Sequence, residues 1–408
     1  MGVDSAIRGG ARLGCIVLFV SLLGACAAVP SASTAAKTPL AQLAVPAGSV
    51  VVVIDDPRGS RKLRGSSGPG YQARLAYDAD PALGRRVRLL AKRYKLDVLE
   101  QWPIRHLSAH CFVAAAPPSA TIAALEGDPL VRWVQPFNEF TTKTATTGQE
   151  FAQPVLGAGV IAQFARAVQE QGEGVSIAVI DTSVDQSHPD LLQSRITEEN
   201  FVGRRGRPQQ EEHGTAVVGL IAAQPSRPQG IAGLAQDANV SVLRACWQRS
   251  GAGGQCNTLT LALALDAAID LNPDIINLSL SGAYDRVLQE LVQHMLDRDT
   301  LVVAAYDERR DPAKRFPAPQ AGVVYAFGSS SVGAETAASG PAFVGPQNVV
   351  QAPRKALSLV PNASYGVVSG HSIAAPQVTA MAARLMARTP NASRRKIQEQ
   401  LESWLKVM

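Results

Sequence analysis

The sequence predicts an α/β protein: a doubly wound parallel sheet with helices on both faces, preceded by a small α+β domain. Three observations carry that prediction. The first is the alternation, after residue 148, of short apolar runs with stretches of helical period. The runs are rich in Val, Ile, Leu and Ala. Strands covered on both faces need that composition, and such strands belong to parallel sheets. The second is size and composition. A chain of 408 residues, 46% hydrophobic, with 34 glycines and only 5% aromatics, has room for two domains of closely packed layers. The third is a separate, shorter strand and helix pattern at 48–142, which meets a polar, Thr-rich junction at 141–148.

Arg8 and Arg12 precede an apolar run at 13–23 that is too short to span a bilayer comfortably, the pattern of an export signal. The run ends Leu22-Leu23-Gly24-Ala25-Cys26, which resembles a bacterial lipobox. Residues 1–26 therefore read as a signal, with Cys26 the acylated first residue of a membrane-anchored lipoprotein in the bacterial envelope. Ordinary cleavage at these small residues is the alternative, leaving a secreted or periplasmic protein. Residues 27–47, rich in Ala, Ser, Thr and Pro, cannot bury a core and read as a disordered tether. Within 48–142, strands are expected at 50–54, 110–115 and 130–134, and helices at 81–94 and 119–126. Within 143–408, strands are expected at 175–180, 240–244, 275–280 and 301–305. Helices are expected there at 213–223, 259–271, 287–297 and 374–388. No internal repeat is present.

A formal charge of +5 is modest for this length. The run Arg204-Arg205-Gly206-Arg207 reads as a solvated loop, so no nucleic-acid partner is expected. Of five cysteines, Cys15 belongs to the leader, and Cys111 sits in an alternating apolar run as a buried thiol. Cys246 and Cys256 flank a Gly-rich loop and are expected to form a disulfide in an exported protein. No cofactor and no metal site is expected. The loop 224–230 in particular lacks carboxylates.

Three segments carry residue types that work together in acyl transfer. A serine hydroxyl is a poor nucleophile at neutral pH; it needs a base, and the base needs an orienting carboxylate. Asp181 follows the apolar strand 175–180, so a rigid backbone presents it. His213 opens a helix of small residues, Gly214, Thr215, Ala216 and Gly219, that lets the helix pack closely. Ser372 stands between Gly370, which permits a sharp turn, and Ile373-Ala374-Ala375-Pro376, a small-residue helix start whose free N–H groups and dipole favour negative charge.

The order Asp181, His213, Ser372, with separations of 32 and 159 residues, resembles that of the subtilisin-like serine protease family. The resemblance covers about 145–400. The stretch Leu125-Glu126-Gly127-Asp128-Pro129-Leu130-Val131-Arg132-Trp133-Val134 is similar to the end of the family's ferredoxin-like pro-domain and extends the resemblance back to about 48. It implies a zymogen whose pro-domain, 48–142, folds and inhibits a catalytic domain, 143–408. It also implies an endopeptidase in which Asp181 orients, His213 exchanges protons and Ser372 attacks. Asp185 and His188-Pro189-Asp190-Leu191 match the surroundings of the family's Asp. Leu278, Ser279, Leu280, Ser281 and Gly282 match the strand whose edge pairs with extended substrate. The expected partners are protein or peptide substrates, the chain's own pro-domain and, through Cys26, the membrane.

The departures from the family pattern bear on rate. Ala305-Tyr306-Asp307 stands where the family has Ala-Gly-Asn, and the Asn amide is a principal oxyanion donor. Asp307 can donate only if protonated, which burial would favour. Tyr306 replaces a glycine of the first specificity pocket and is expected to fill part of it. His371 replaces a threonine, Ala216 a second histidine, and Ser183 a glycine. These changes leave an alternative open: a non-catalytic or very slow peptide-binding lipoprotein that keeps the fold. A lipase or esterase is disfavoured, because no Gly-x-Ser-x-Gly surrounds Ser372.

Overall fold

Four consecutive valines, Val50 to Val53, make a strand buried on both faces, and that strand organises the N-terminal part. The computed structural model describes residues 45–57, 61–62, 77–78, 81–142, 145–147, 159–203, 211–248, 253–307, 309–329 and 348–406. The leader with Cys26, most of the tether and the arginine run 204–207 lie outside the described residues. Among the described residues no helix is long and apolar enough to cross a membrane.

The first unit runs β1 (Val50–Asp55), α1 (Pro81–Tyr94), β2 (Val98–Ile104), β3 (Ala109–Ala114), α2 (Ser119–Glu126) and β4 (Val131–Pro136). Its strands form an antiparallel sheet in the order β2-β3-β1-β4. Val50, Val52 and Ile54 pack on Leu83, Val87, Leu90 and Leu125 of the two helices. Val51 and Val53, with Trp102, Cys111 and Trp133, face the other way and share one cluster with Leu261, Leu265, Leu288 and Leu291 of the second unit. The sequence reading had no strand at 98–104. The first four residues of β2 are only part-buried and it contains Pro103, the marks of an edge strand, so no apolar run announces it.

Two short strands follow, β5 (Glu139–Thr141) and β6 (Ala145–Thr147). Beyond them come α3 (Val160–Ala167), β7 (Ser176–Asp181), β8 (Arg195–Asn200), α4 (Glu212–Ala222), β9 (Asn239–Arg244) and β10 (Gly254–Asn257). Next are α5 (Thr258–Leu271), β11 (Ile275–Leu278), β12 (Ser281–Ala283), α6 (Arg286–Leu296), β13 (Leu301–Ala305) and β14 (Arg315–Phe316). The chain closes with β15 (Val323–Ser329), β16 (Val349–Pro353), β17 (Lys355–Val360), β18 (Ser364–Ser369), α7 (His371–Arg388) and α8 (Arg394–Lys406).

Seven strands make a parallel sheet in the order β8-β9-β7-β11-β13-β15-β16. The chain enters at β7, fills one side with β8 and β9, then crosses over for the rest. That reversal opens a crevice at the carboxyl ends of the central strands, where α/β sheets hold their ligands. Residues of α3, α4, α7 and α8 cover one face, and those of α5 and α6 the other. The doubly wound architecture read from the alternation is the one present. The strand expected at 275–280 is shorter: β11 stops at Leu278, and Ser281–Ala283 joins a second sheet that contains β10-β5-β12-β14.

Contacts with the first unit extend beyond the apolar cluster. Arg105 Nη2 lies 2.5 Å from Asp270 Oδ2, and His106 Nδ1 lies 2.9 Å from Asp266 Oδ1, both carboxylates on α5. Gln135 donates to Asp285 Oδ1 at 2.7 Å and accepts the Val287 N–H at 3.1 Å, closing the first turn of α6. Cys246 and Cys256 are disulfide-bonded, their Cα atoms 4.3 Å apart. Closing so short a loop stabilises by about 2–3 kcal/mol on the loop-entropy account.

Candidate active site

Asp181 ends β7 at the crevice and is completely buried. Its Oδ1 accepts the Thr182 N–H at 2.6 Å and the His213 Nδ1–H at 2.7 Å. A carboxylate oxygen accepts, so the shared hydrogen sits on Nδ1 and Nε2 is left as the proton acceptor. That Nε2 is buried and has no hydrogen-bond partner. His213 is the second residue of α4, and the glycine after it explains how the helix comes so close. A Cβ at Gly214 would stand 2.5 Å from the Thr182 carbonyl oxygen and 2.6 Å from that of Ser183. The Gly214 N–H instead donates to Thr182 Oγ1 at 2.8 Å.

Behind this pair lies a buried ionic network that sequence reading missed. Glu211, at the N-cap of α4, accepts from Arg244 Nε at 3.0 Å and Nη2 at 2.6 Å, and from the Ser183 N–H at 2.6 Å. Both ends of this ion pair are sealed from solvent. The Ser183 hydroxyl donates to Glu198 Oε1 at 2.7 Å, and the Val184 N–H to Oε2 at 3.3 Å. Burial raises the pKa of Glu198, and those two donors offset only part of the rise. Ser183 is thus paired with a specific acid. The one available signal was an arginine ending strand β9 after Val240, Val242 and Leu243.

Ser372 is the second residue of α7 and is almost wholly buried. The helix begins at His371, three residues before the expected 374, so Ser372 lies in its first turn rather than ahead of it. Gly370, at φ 150° and ψ 166°, makes the entry turn. Thr379 donates to Asn277 Oδ1 at 2.9 Å and Gln377 to the Pro353 carbonyl at 2.9 Å, tying α7 to β11 and β16.

A segment of the chain itself is seated along this crevice. Strand β5 lies antiparallel between β10 and β12, with Phe140 opposite Cys256 on one side and Gly282 on the other. Phe140 is fully buried and meets Phe316 edge-on at 5.6 Å. A Cβ at Gly282 would lie 2.1 Å from the Phe140 ring, so only glycine leaves room for it. The Thr142 N–H donates to the Gly254 carbonyl at 2.8 Å, and the Gly254 N–H returns to Thr142 Oγ1 at 2.6 Å. On the other side β6 pairs with β18, Ala145 opposite Ser369, three residues before Ser372. Residues 143–144, between the two paired stretches, lie outside the described residues.

Among the expected substrate contacts, Ser281 and Gly282 lie on the strand that pairs with β5. Leu278 does not: it is a central residue of the main sheet, opposite Ile180 and Ala304, with no free edge. Leu280 likewise turns into the core. Ser279 is buried and accepts from Asn277 Nδ2 at 2.9 Å. Tyr306 packs under the Arg315 guanidinium, 4.2 Å away, and edge-on to Tyr325 and Phe327.

Asp307 is the expectation that needs correcting. Burial pushes its pKa upward, but the Arg309 guanidinium and N–H, with the Ser281 hydroxyl, outweigh burial and hold the carboxyl below its ordinary value. Arg309 Nε lies 2.9 Å from Oδ1, and Ser281 Oγ donates to Oδ2 at 3.2 Å. Asp307 is therefore an ionised acceptor and cannot be an oxyanion donor. His371 bonds elsewhere: its Nδ1 accepts the Gly328 N–H at 3.1 Å, and its ring lies on Phe327 with centroids 4.9 Å apart.

The subtilase family model matches residues 172–404, more than half of the chain. This chain belongs to the subtilase family. It is 32% identical over 240 residues to the major intracellular serine protease of Bacillus subtilis, covering 56% of this chain and 73% of that protein. It is 29% identical over 303 residues to subtilisin NAT of Bacillus subtilis subsp. natto, covering 71% of this chain and 74% of that protein. Among solved structures it is similar to fervidolysin from Fervidobacterium pennivorans, described as a keratinolytic enzyme related to subtilisin. That likeness has a TM-score of 0.60 and 20% identity, over 87% of this chain and 57% of fervidolysin, and it speaks to the fold alone. As a subtilase the chain is a serine-type endopeptidase, acting on peptide or protein substrates.

Proposed function

We propose that the chain is an exported endopeptidase made as a zymogen, with Asp181, His213 and Ser372 as its catalytic triad. His213 Nε2 takes the Ser372 hydroxyl proton as Oγ attacks the peptide carbonyl, and Asp181 steadies the imidazolium. The tetrahedral oxyanion meets the N–H of Ser372 at the start of α7. His213 then passes its proton to the leaving amine, and water releases the acyl group by the same route.

The observation that carries the zymogen reading is the seated segment. Residues 139–142 are paired as a peptide would be, by β-augmentation, and residues 145–147 are paired with β18, which leads into the helix of Ser372. A cut between Thr142 and Ala145 would divide the first unit from the catalytic one. Wild-type protein should yield a fragment starting at 143, 144 or 145, and Ser372→Ala should stay intact in a protease-deficient host. Equal trimming of both would end the self-processing idea. Cys111 gives a second readout. It lies on the sheet face that meets α5 and α6, and burial raises its thiol pKa well above the ordinary value. It should resist maleimide in the intact chain and react once the first unit is released.

Export and anchoring rest on the leader. If Cys26 is acylated, metabolic fatty-acid label should follow the protein and vanish in Cys26→Ser; label persisting in that variant rejects the tether. A second reading, a subtilase kept for peptide binding with very slow turnover, is favoured by the ionised Asp307. Prompt labelling of Ser372 by a fluorophosphonate would exclude it.

A further inference from the structure

We propose that Arg315 forms the floor of the pocket for the substrate side chain just before the cut bond, and that this pocket selects an acidic side chain. The inference rests on the endopeptidase reading above and names its substrate class. Arg315 is only 2% exposed, yet its Nε and Nη2 are buried without a hydrogen-bond partner. An arginine stays charged and carries five N–H donors, so a buried one with two nitrogens unsatisfied points to a missing acceptor. Nε and Nη2 are the same two nitrogens with which Arg244 grips the Glu211 carboxylate, and together they fit a carboxylate by two parallel bonds. The Asp307 carboxylate does not fill that role. It is engaged by Arg309 at 2.9 Å, Arg310 at 3.6 Å and the Ser281 hydroxyl at 3.2 Å. The Arg315 guanidinium lies over the rings of Tyr306 and Tyr325, 4.2 and 5.2 Å from their centroids, which favours the cation without using its N–H groups.

A chain of contacts ties this guanidinium to the seated segment. Arg315 stands opposite Ala283 in the β12–β14 pairing, and its Nη1 donates to the Asp307 carbonyl at 3.3 Å. Its side chain therefore runs from the second sheet to the end of β13. There the Asp307 carboxylate holds Ser281, and Ser281 is the β12 residue opposite Thr141, where β5 heads for the cut region. The stretch 140–148 contains no carboxylate, so the chain's own junction offers the guanidinium no partner. Self-processing then draws on the intramolecular placement of the segment and not on this pocket.

The test uses the processed enzyme and chromogenic peptides identical but for the residue before the cut bond. The Glu peptide should exceed its Gln counterpart by about 10- to 10²-fold in kcat/KM, the worth of hydrogen bonds to a charged partner. The Lys peptide should be the poorest. Arg315→Met, which keeps an unbranched side chain but removes the cation, should bring the Glu to Gln ratio down to one or below. Arg315→Lys, which keeps the charge without the fork, should retain part of the preference. A purely structural arginine would lower cleavage of every peptide alike and leave the ratio where it was, and that result overturns the proposal. The parent comparison needs no variant to fold: Glu and Gln peptides cleaved within twofold of each other also overturn it. Fluorophosphonate labelling keeps the two readings apart. A parent that labels but shows no acidic preference loses this pocket and keeps its nucleophile, whereas one that neither labels nor cleaves loses both.

Discussion

Changing Asp181 to asparagine is expected to lower kcat about 10⁴-fold, the size of the loss when the orienting aspartate of a serine protease triad is made neutral. The surroundings of Asp181 show why no amide orientation is good. Oδ1 already takes two hydrogens, from Thr182 N and His213 Nδ1, while Oδ2 is buried without a hydrogen-bond partner. An asparagine that keeps its oxygen at the Oδ1 position buries an NH₂ group with nothing to bond. The flipped asparagine points NH₂ at both Thr182 N–H and His213, and drives His213 to the tautomer with hydrogen on Nε2. That tautomer cannot take the Ser372 proton. Both forms also lose the negative charge that steadies the imidazolium. The checks are kcat and KM on a peptide substrate together with the rate of fluorophosphonate labelling. Both rates should collapse while KM stays within a few fold, and a variant within tenfold of the parent would remove Asp181 from the orienting role.

The parts of this chain that announce themselves in sequence are those where chemistry demands one residue type at one backbone position. Gly214 and Gly370 are such positions, because close approach or positive φ excludes other residues, and they flag His213 and Ser372. The central strands are legible too, since burial on both faces writes a largely apolar run, as in Ile177–Ile180 and Leu301–Ala305. The edges are not. Strands β2 and β8 border solvent or a neighbouring unit on one side, tolerate polar residues, and leave no period to read. Strand β5, only three residues long, is a strand because two others flank it, so its own sequence could not reveal it.

The same distinction explains Asp307. Sequence shows an acid where an amide is expected, and local reasoning points to protonation by burial. Its charge state depends on Arg309, whose guanidinium reaches back to it, and on Ser281 from a different strand. Tertiary partners decide pKa values, and a linear sequence does not show which partner arrives. Asp190 makes the same point: four donors, from Ser226 N–H and hydroxyl, Ile231 N–H and Tyr365 hydroxyl, converge on it from two distant segments.

The largest expected loss of stability lies outside the proposed triad. Glu211→Ala should destabilise the fold by about 3–5 kcal/mol, the cost of leaving one member of a buried ion pair without its partner. Arg244 is completely buried, and its Nε and Nη2 both donate to Glu211. The Ser183 N–H loses its acceptor at the same time. Catalysis should suffer through geometry as well. Glu211 joins the turn after Asp181 to the residue that starts the helix of His213, so its loss frees those two to drift apart. Two comparisons separate these effects. Glu211→Gln keeps an acceptor for Ser183 but weakens the charge pairing with Arg244, so it should lose stability while keeping more of kcat than Glu211→Ala. Glu211→Leu combined with Arg244→Met removes both charges and should be more stable than Glu211→Ala, because no charge is left buried alone. The measurement is the urea midpoint and slope of the Ser372→Ala background, where self-digestion cannot interfere, with kcat read in the active one. If the double variant is no more stable than Glu211→Ala, the cost lies in lost packing or the Ser183 contact, and the ion-pair account is wrong.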